Sequence, residues 1–180
     1  MNLDLPLSLN VNGVDRPIFA DFRDVINILI ACNDSNLSPQ EKALVVLSNL
    51  YEDDFESFGD TIEAYEKACK FIDWDKEYVE KEDAPKVVDW QKDYNYIISA
   101  VNKVTKTEVR SADFLHWWTF LGYFQERGEC QYSTITEIRD KLNHGKKLEL
   151  YEKEFLRNNR EAVIIESEEL DEFSKELLGE

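Results

Sequence analysis

Eleven residues in the second half of the chain, FLHWWTFLGYF at positions 114–124, favour a largely helical fold. A helix that is apolar on most of its sides is usually surrounded by other helices, so this stretch predicts a central, buried helix. Successive residues of an α-helix point about 100° apart, and the adjacent Trp117 and Trp118 therefore do not share one narrow face. The alternative is that one of the two stays partly exposed and anchors a partner, as tryptophans do in interfaces.

Helix-start signals recur on both sides of this stretch. Ser38 and Glu41 have the spacing of a capping box, and Pro39 occupies a first-turn position where a missing amide costs nothing. Further starts are predicted where an oxygen-bearing side chain precedes an apolar stripe at helical intervals. They are Asp21, Asp60, Asp89, Ser111 and Thr134, and Gly145 is predicted to end the helix that Thr134 starts.

Two of the apolar stripes are predicted to face the core because their members recur every three or four residues. The first follows Pro39 and consists of Ala43, Leu44, Leu47 and Leu50. The second follows Asp60 and consists of Ile62, Tyr65, Cys69 and Ile72.

The most pronounced β signal lies near the N-terminus. Leu7, Leu9 and Val11 alternate with polar residues, and the pair Asn12-Gly13 favours a type I′ turn because both residues tolerate positive φ. The sequence as a whole thus predicts a mainly α fold of about six to seven helices with an N-terminal β-hairpin at about residues 5–19.

The length of 180 residues is that of one domain of ordinary size. We expect residues 1–160 to form a single helical domain. Residues 161–180 hold eight acids against one base and are predicted to be an acidic C-terminal tail or a docking helix. The spacing of Leu170, Phe173 and Leu177 makes this narrow stripe a candidate for partner binding.

The chain is strongly acidic, with 38 acidic against 21 basic side chains and a formal net charge of −17. Such a charge repels phosphate backbones and anionic lipid, so we expect no direct contact with nucleic acid or membranes. The chain does not open with a basic segment followed by an apolar one, and it contains no run of eighteen apolar residues. A soluble, cytoplasmic protein is expected.

Motifs for catalysis, metals and cofactors are absent from the sequence: it has no G-x-G-x-x-G, no phosphate loop, no G-x-S-x-G and no H-E-x-x-H. Cys32, Cys69 and Cys130 are too widely separated for a metal or disulfide framework, and we expect them to be reduced. His116 precedes Trp117 in apolar surroundings and is predicted to be a packed histidine rather than a ligand. We therefore predict a protein that is not an enzyme, with no catalytic, metal-binding or cofactor-binding residue.

The run LHWWTF at 115–120 resembles the signature of a family of bacteriophage proteins encoded in the tail region of siphophages that infect Gram-positive bacteria, the "phage protein fifteen" family. Other stretches resemble the family in order and approximate spacing: the hairpin, Asp21-Phe22-Arg23, the acid-aromatic-isoleucine stretch at 93–98, and Ile138-Arg139. The resemblance covers about residues 5–145.

The resemblance implies a tail assembly chaperone that binds the tape-measure protein and works with other tail proteins in the host cytoplasm. It leaves open whether the chain forms a homo-oligomer. A tape-measure protein is a long, apolar, helix-prone chain, and an acidic helical protein suits the task of keeping it dispersed. The alternative is an acidic DNA mimic that inhibits a host DNA-binding enzyme, although the basic residues interspersed with the acids disfavour a continuous negative stripe.

Overall fold

The computed structural model describes residues 4–76 and 86–165. Within them the chain is mainly helical and begins with a β-hairpin, which confirms the predicted fold class. The elements are β1 (Ser8–Val11), β2 (Val14–Pro17), α1 (Phe22–Cys32), α2 (Pro39–Leu50), α3 (Thr61–Ile72), α4 (Tyr94–Thr105), α5 (Trp117–Gln125), α6 (Gln131–Asn143), α7 (Leu150–Asn158) and α8 (Arg160–Val163), with short 3-10 helices at Phe55–Phe58 and Val109–Ser111. None of these helices is long and apolar enough to cross a bilayer.

The residues group into two compact units. The first consists of Met1–Glu80 and Val109–Tyr123, and the second of Lys81–Glu108 and Phe124–Glu180. The single domain at 1–160 and the tail at 161–180 stay predictions. The stripe of Leu170, Phe173 and Leu177 lies outside the described residues.

The hairpin forms as its turn sequence predicts. Asn12 and Gly13 have φ values of 51° and 76°, the pair of positive angles that a type I′ turn requires. The antiparallel register runs from Val11 opposite Val14 to Ser8 opposite Pro17. Pro17, which has no amide to donate, thus lies at the end of β2.

The helices of the first unit begin at their predicted caps. Ser38 Oγ accepts a hydrogen bond from the Glu41 amide, and Glu41 accepts one from the Ser38 amide, which completes the predicted capping box. The Asp21 carboxylate caps α1 by accepting the Arg23 amide, and the Asp60 carboxylate caps α3 by accepting the amides of Ile62 and Glu63. Leu44 of α2 is 52% exposed, against prediction, and Val46 is buried in this helix instead.

The orientation of α3 differs from the predicted one. Ala64, Ala68, Phe71 and Ile72 face the core, whereas Ile62 is 73% exposed and Tyr65 and Cys69 are only half-buried. The prediction was wrong for these three residues because helical spacing of large apolar side chains does not show which of two neighbouring faces is buried. Small alanine side chains allow a helix to pack closely against its neighbours, so the face that carries them is the buried one.

The second unit is built around α6, which contacts α4, α7 and α8. Its core consists of Ile135, Ile138, Leu142, Leu148, Leu156 and Val163. Two helix starts differ from prediction: Asp89 caps a turn that precedes α4, and α6 begins at Gln131, ahead of Thr134. Gly145 ends α6 as predicted, with a φ of 60°.

Candidate functional site

The first turn of α5 is preceded by an extended segment that pairs with the start of α1. Phe22 donates its amide to the Leu115 carbonyl at 3.0 Å, and Trp117 donates to the Ala20 carbonyl at 2.8 Å. The predicted helix start at Ser111 is therefore wrong, since α5 begins only at Trp117. Local sequence did not show this because the partner of the extended segment lies about ninety residues away along the chain.

Asp21 joins these two segments through its side chain. Its carboxylate accepts two hydrogen bonds from the Arg23 guanidinium, at 2.7 and 2.9 Å, and one from the Leu115 amide at 2.9 Å. Burial disfavours the charged form, but these hydrogen bonds outweigh it and hold the pKa of Asp21 below its ordinary value. Asp21 thus fixes the backbone that leads into the tryptophan pair.

His116 is a buried capping residue. Its Nδ1 accepts a hydrogen bond from the Trp118 amide at 3.0 Å, so the ring proton belongs on Nε2, which donates to the Pro6 carbonyl at 2.9 Å. Burial lowers the pKa of His116 and so favours this neutral form. The prediction of a packed histidine is confirmed. Among residues 4–76 and 86–165, no three His, Cys, Asp or Glu side chains are placed to hold a metal ion.

The two tryptophans both bind the C-terminal end of α3. Trp117 Nε1 donates to the Ile72 carbonyl and Trp118 Nε1 to the Phe71 carbonyl, each at 2.8 Å. Trp117 is only 1% exposed and belongs to the core, whereas Trp118 is half-buried and stacks on the Phe71 ring with centroids 5.7 Å apart. Trp118 is therefore the partly exposed member of the pair, and its role in partner binding stays a prediction.

The geometry at the end of α3 explains why one of its carbonyls needs an indole donor. The amides of Trp74 and Asp75 donate to the Phe71 and Lys70 carbonyls in the pattern of a Schellman motif, with Trp74 at a φ of 62°. That pattern leaves the carbonyl of Ile72, the last helical residue, to be satisfied from elsewhere. Trp117 supplies this hydrogen bond, and Trp118 adds a second donor to Phe71.

Three exposed apolar residues and the half-buried Trp118 belong to the segments that meet at His116, and we call this set the aromatic patch: Leu5, Leu7, Phe114 and Trp118. Leu5 and Leu7 flank the proline that His116 binds, and the rings of Phe114 and Trp118 lie 6.4 and 6.0 Å from the His116 ring. Phe114 is 54% exposed, and both leucines are also exposed. The motif that sequence reasoning interpreted as one central helix thus places apolar side chains at the surface as well.

A second exposed apolar feature runs along the outer face of α3. We call it the α3 groove: its volume is about 570 Å³, and its lining includes Ile62, Tyr65 and Cys69. Sequence reasoning missed this surface because it placed the same three residues in the core.

The second unit contains a buried ion pair between residues of two stretches that carry the family resemblance. Arg139 donates to both carboxylate oxygens of Asp93, at 2.6 and 2.8 Å, and Tyr132 donates its hydroxyl to the same carboxylate at 3.1 Å. The Arg139 guanidinium also donates to the carbonyls of Val87, Ala162 and Val163. These hydrogen bonds connect α6 to the segment that precedes α4 and to α8.

A family model described as Bacteriophage Gp15 protein matches residues 1–164. No curated protein and no solved structure matches the chain. The matched range contains the hairpin, the histidine and tryptophan contacts to α3, and the buried ion pair. The resemblance seen in the sequence is thereby confirmed at the level of the family.

Proposed function

Because the chain belongs to the bacteriophage Gp15 protein family, we propose that it is a tail assembly chaperone, a protein without enzymatic activity that binds the tape-measure protein in the host cytoplasm. The observation that carries this proposal is the aromatic patch. Large apolar side chains that remain exposed together are typical of protein-binding surfaces, and a long apolar partner would cover them.

The rigidity of the patch supports the proposal. The Trp118 ring stacks on Phe71, its indole N–H is hydrogen-bonded, and its backbone amide is held by His116. A side chain that is already fixed loses little conformational freedom when a partner binds. Trp118 is thus suited to act as an anchor with a low entropic cost.

The distribution of charge supports a role in keeping an apolar client dispersed. The described residues of the first unit contain sixteen acids and seven bases, a net charge of −9. Those of the second unit contain eleven acids and twelve bases, a net charge of +1. The unit that presents the aromatic patch is therefore also the more acidic one, and like charges keep its complexes apart in solution.

Co-expression with the tape-measure protein of the same phage genome tests the proposal. We expect the tape-measure protein to become soluble and to co-purify with the tagged chain at high salt, because apolar contacts are little screened. The double variant Leu7→Ser/Phe114→Ser should lose most of this recovery. Leu150→Ser is the matched control, since Leu150 is 84% exposed but lies in the second unit.

A tape-measure protein that stays insoluble with the wild-type chain would contradict the proposal. So would equal recovery with the double variant and the control. Capture of a host DNA-binding enzyme from infected cells, only at low salt, would favour the acidic DNA mimic instead, because such binding depends on charge.

A further inference from the structure

We infer that the α3 groove is a second docking surface and that it takes an amphipathic helix with basic residues beside its apolar stripe. This inference goes beyond the chaperone role, since it assigns a partner chemistry to a surface apart from the aromatic patch. It rests on the apolar lining of the groove, on the way α3 is held, and on the charges at one end of the helix.

The apolar lining has the spacing of a helix-binding surface. Ile62, Tyr65 and Cys69 are three and four residues apart and form one stripe along α3. A volume of about 570 Å³ has room for several apolar side chains of a partner. Helical peptides bind such grooves through side chains that recur every three or four residues.

Both ends of α3 are fixed before any partner arrives. At its N-terminal end, Asp60 caps the helix, and the Glu63 carboxylate accepts the amide of Asn12 at the hairpin turn at 2.7 Å. At its C-terminal end, the two indole groups bind the last carbonyls. The opposite face packs in the core, so the outer stripe is held in place and binding does not have to order it.

Acidic side chains outnumber basic ones around the N-terminal half of α3, where Arg16 pairs with Asp53 and Lys67 with Glu63. Residues 52–66 include seven acids and no base. Within the described residues, neither Glu56 nor Glu66 has an ion-pair partner, and Glu66 lines the groove. At the other end the groove is lined by charges of both signs, Lys70, Asp73 and Lys76, and Lys70 forms an ion pair with Asp75 at 3.3 Å. A partner with Lys or Arg near the Ile62 end would therefore complement the groove, whereas an acidic partner would be repelled.

Synthetic helical peptides provide the probes for a test with the full chain. We would compare three labelled peptides of about 18 residues: an amphipathic peptide with lysines beside its apolar stripe, the same peptide with glutamates in place of the lysines, and the lysine peptide with its apolar positions scrambled. Fluorescence anisotropy measures the affinities at physiological salt. We expect the lysine peptide to bind at least about tenfold more tightly than either of the others.

Two variants locate the binding. Ile62→Glu should weaken binding of the lysine peptide about tenfold or more, and the high exposure of Ile62 means that the fold tolerates the change. Glu66→Lys should shift the preference toward the glutamate peptide, a result that loss of folding would not produce. Leu44→Glu is the matched control, because Leu44 is an exposed apolar residue on α2, and it should leave the affinity unchanged.

Equal affinity for the lysine and glutamate peptides, or an Ile62→Glu variant that binds like the wild type, would overturn the inference. Peptide discrimination without solubilisation of the tape-measure protein would support the groove and contradict the chaperone proposal. Solubilisation without peptide discrimination would support the chaperone proposal and contradict the groove. Failure of one proposal is therefore distinguishable from failure of the other.

Discussion

Replacing each tryptophan of the pair by phenylalanine should have different effects on stability. Trp117→Phe removes the donor to the Ile72 carbonyl, which has no other donor within the described residues. Trp118→Phe removes one of two donors to the Phe71 carbonyl, because the Trp74 amide also binds it at 3.2 Å. The two variants thus remove the same indole N–H group from sites that differ in burial and in whether the carbonyl keeps another donor.

The expected magnitudes follow from these contacts. An unsatisfied buried carbonyl costs about 1–3 kcal/mol, and the smaller ring leaves a void in the core, so Trp117→Phe should lower the free energy of unfolding by about 2–4 kcal/mol. Trp118 is half-buried, its carbonyl partner keeps one donor, and phenylalanine retains the stacking on Phe71. Trp118→Phe should lower the free energy of unfolding by less than about 1 kcal/mol.

Urea unfolding followed by far-UV circular dichroism measures both values, with the slope of the transition used to check that the unfolding mechanism is unchanged. Hydrogen exchange then reports locally, because Trp117→Phe should speed exchange of the amides in the last turn of α3. A Trp118→Phe variant that is as destabilised as Trp117→Phe, or a Trp117→Phe variant within about 0.5 kcal/mol of wild type, would show that capping of α3 does not depend on the buried indole.

Three further predictions concern other parts of the chain. Arg139→Met should lower the free energy of unfolding, measured in urea, by about 3–5 kcal/mol because it leaves the Asp93 carboxylate buried without its cation. Adding Asp93→Leu should restore part of this stability, and a double variant that is equally or less stable than Arg139→Met would contradict the pairing. Lys106→Gly should raise the free energy of unfolding by about 0.5–1 kcal/mol, because the exposed Lys106 ends α4 at a φ of 59°, and a lowered thermal midpoint would refute this. Burial lowers the pKa of His116, so below about pH 6.5 the unfolded chain binds more protons than the folded one, and the urea midpoint should fall as the pH drops through that value. His116→Asn should make the urea midpoint depend less on pH, and an unchanged dependence would assign it to other groups.

Features encoded by adjacent residues were predictable from sequence. The Asn12-Gly13 turn, the capping box of Ser38 and Glu41, and the helix end at Gly145 each depend on backbone preferences within a few residues. These preferences hold in almost any context, so the sequence is enough to locate them.

Features that depend on distant segments were not predictable in the same way. The helix start expected at Ser111 gives way to an extended segment because α1 supplies hydrogen-bonding partners for it. Glu152 lies on the buried face of α7, where its carboxylate accepts a hydrogen bond from Lys141 at 2.5 Å. A pattern that counts only apolar residues assigns such a face to solvent, since nothing near Glu152 in the sequence shows that a cation neutralises it.

The candidate site was predictable in part. The sequence singled out Trp117 and Trp118 and left open which of them is exposed. Burial of each indole depends on where α3 ends, and the spacing of the tryptophans holds no information about that. The α3 groove was missed because the spacing of Ile62, Tyr65 and Cys69 was taken as the sign of a core-facing stripe, whereas close packing of Ala64 and Ala68 decides the orientation of this helix.

Neither compact unit is encoded by one uninterrupted stretch of gene. The chain passes from one unit to the other at three junctions, after residues 80, 108 and 123. A single genetic crossover between two related phages therefore cannot exchange one unit and leave the other intact, because every crossover point within the chain joins two lineages inside at least one unit. The family match at 1–164 runs across all three junctions. Phage genomes that recombine as mosaics should accordingly inherit this region as one block, with crossover points outside it.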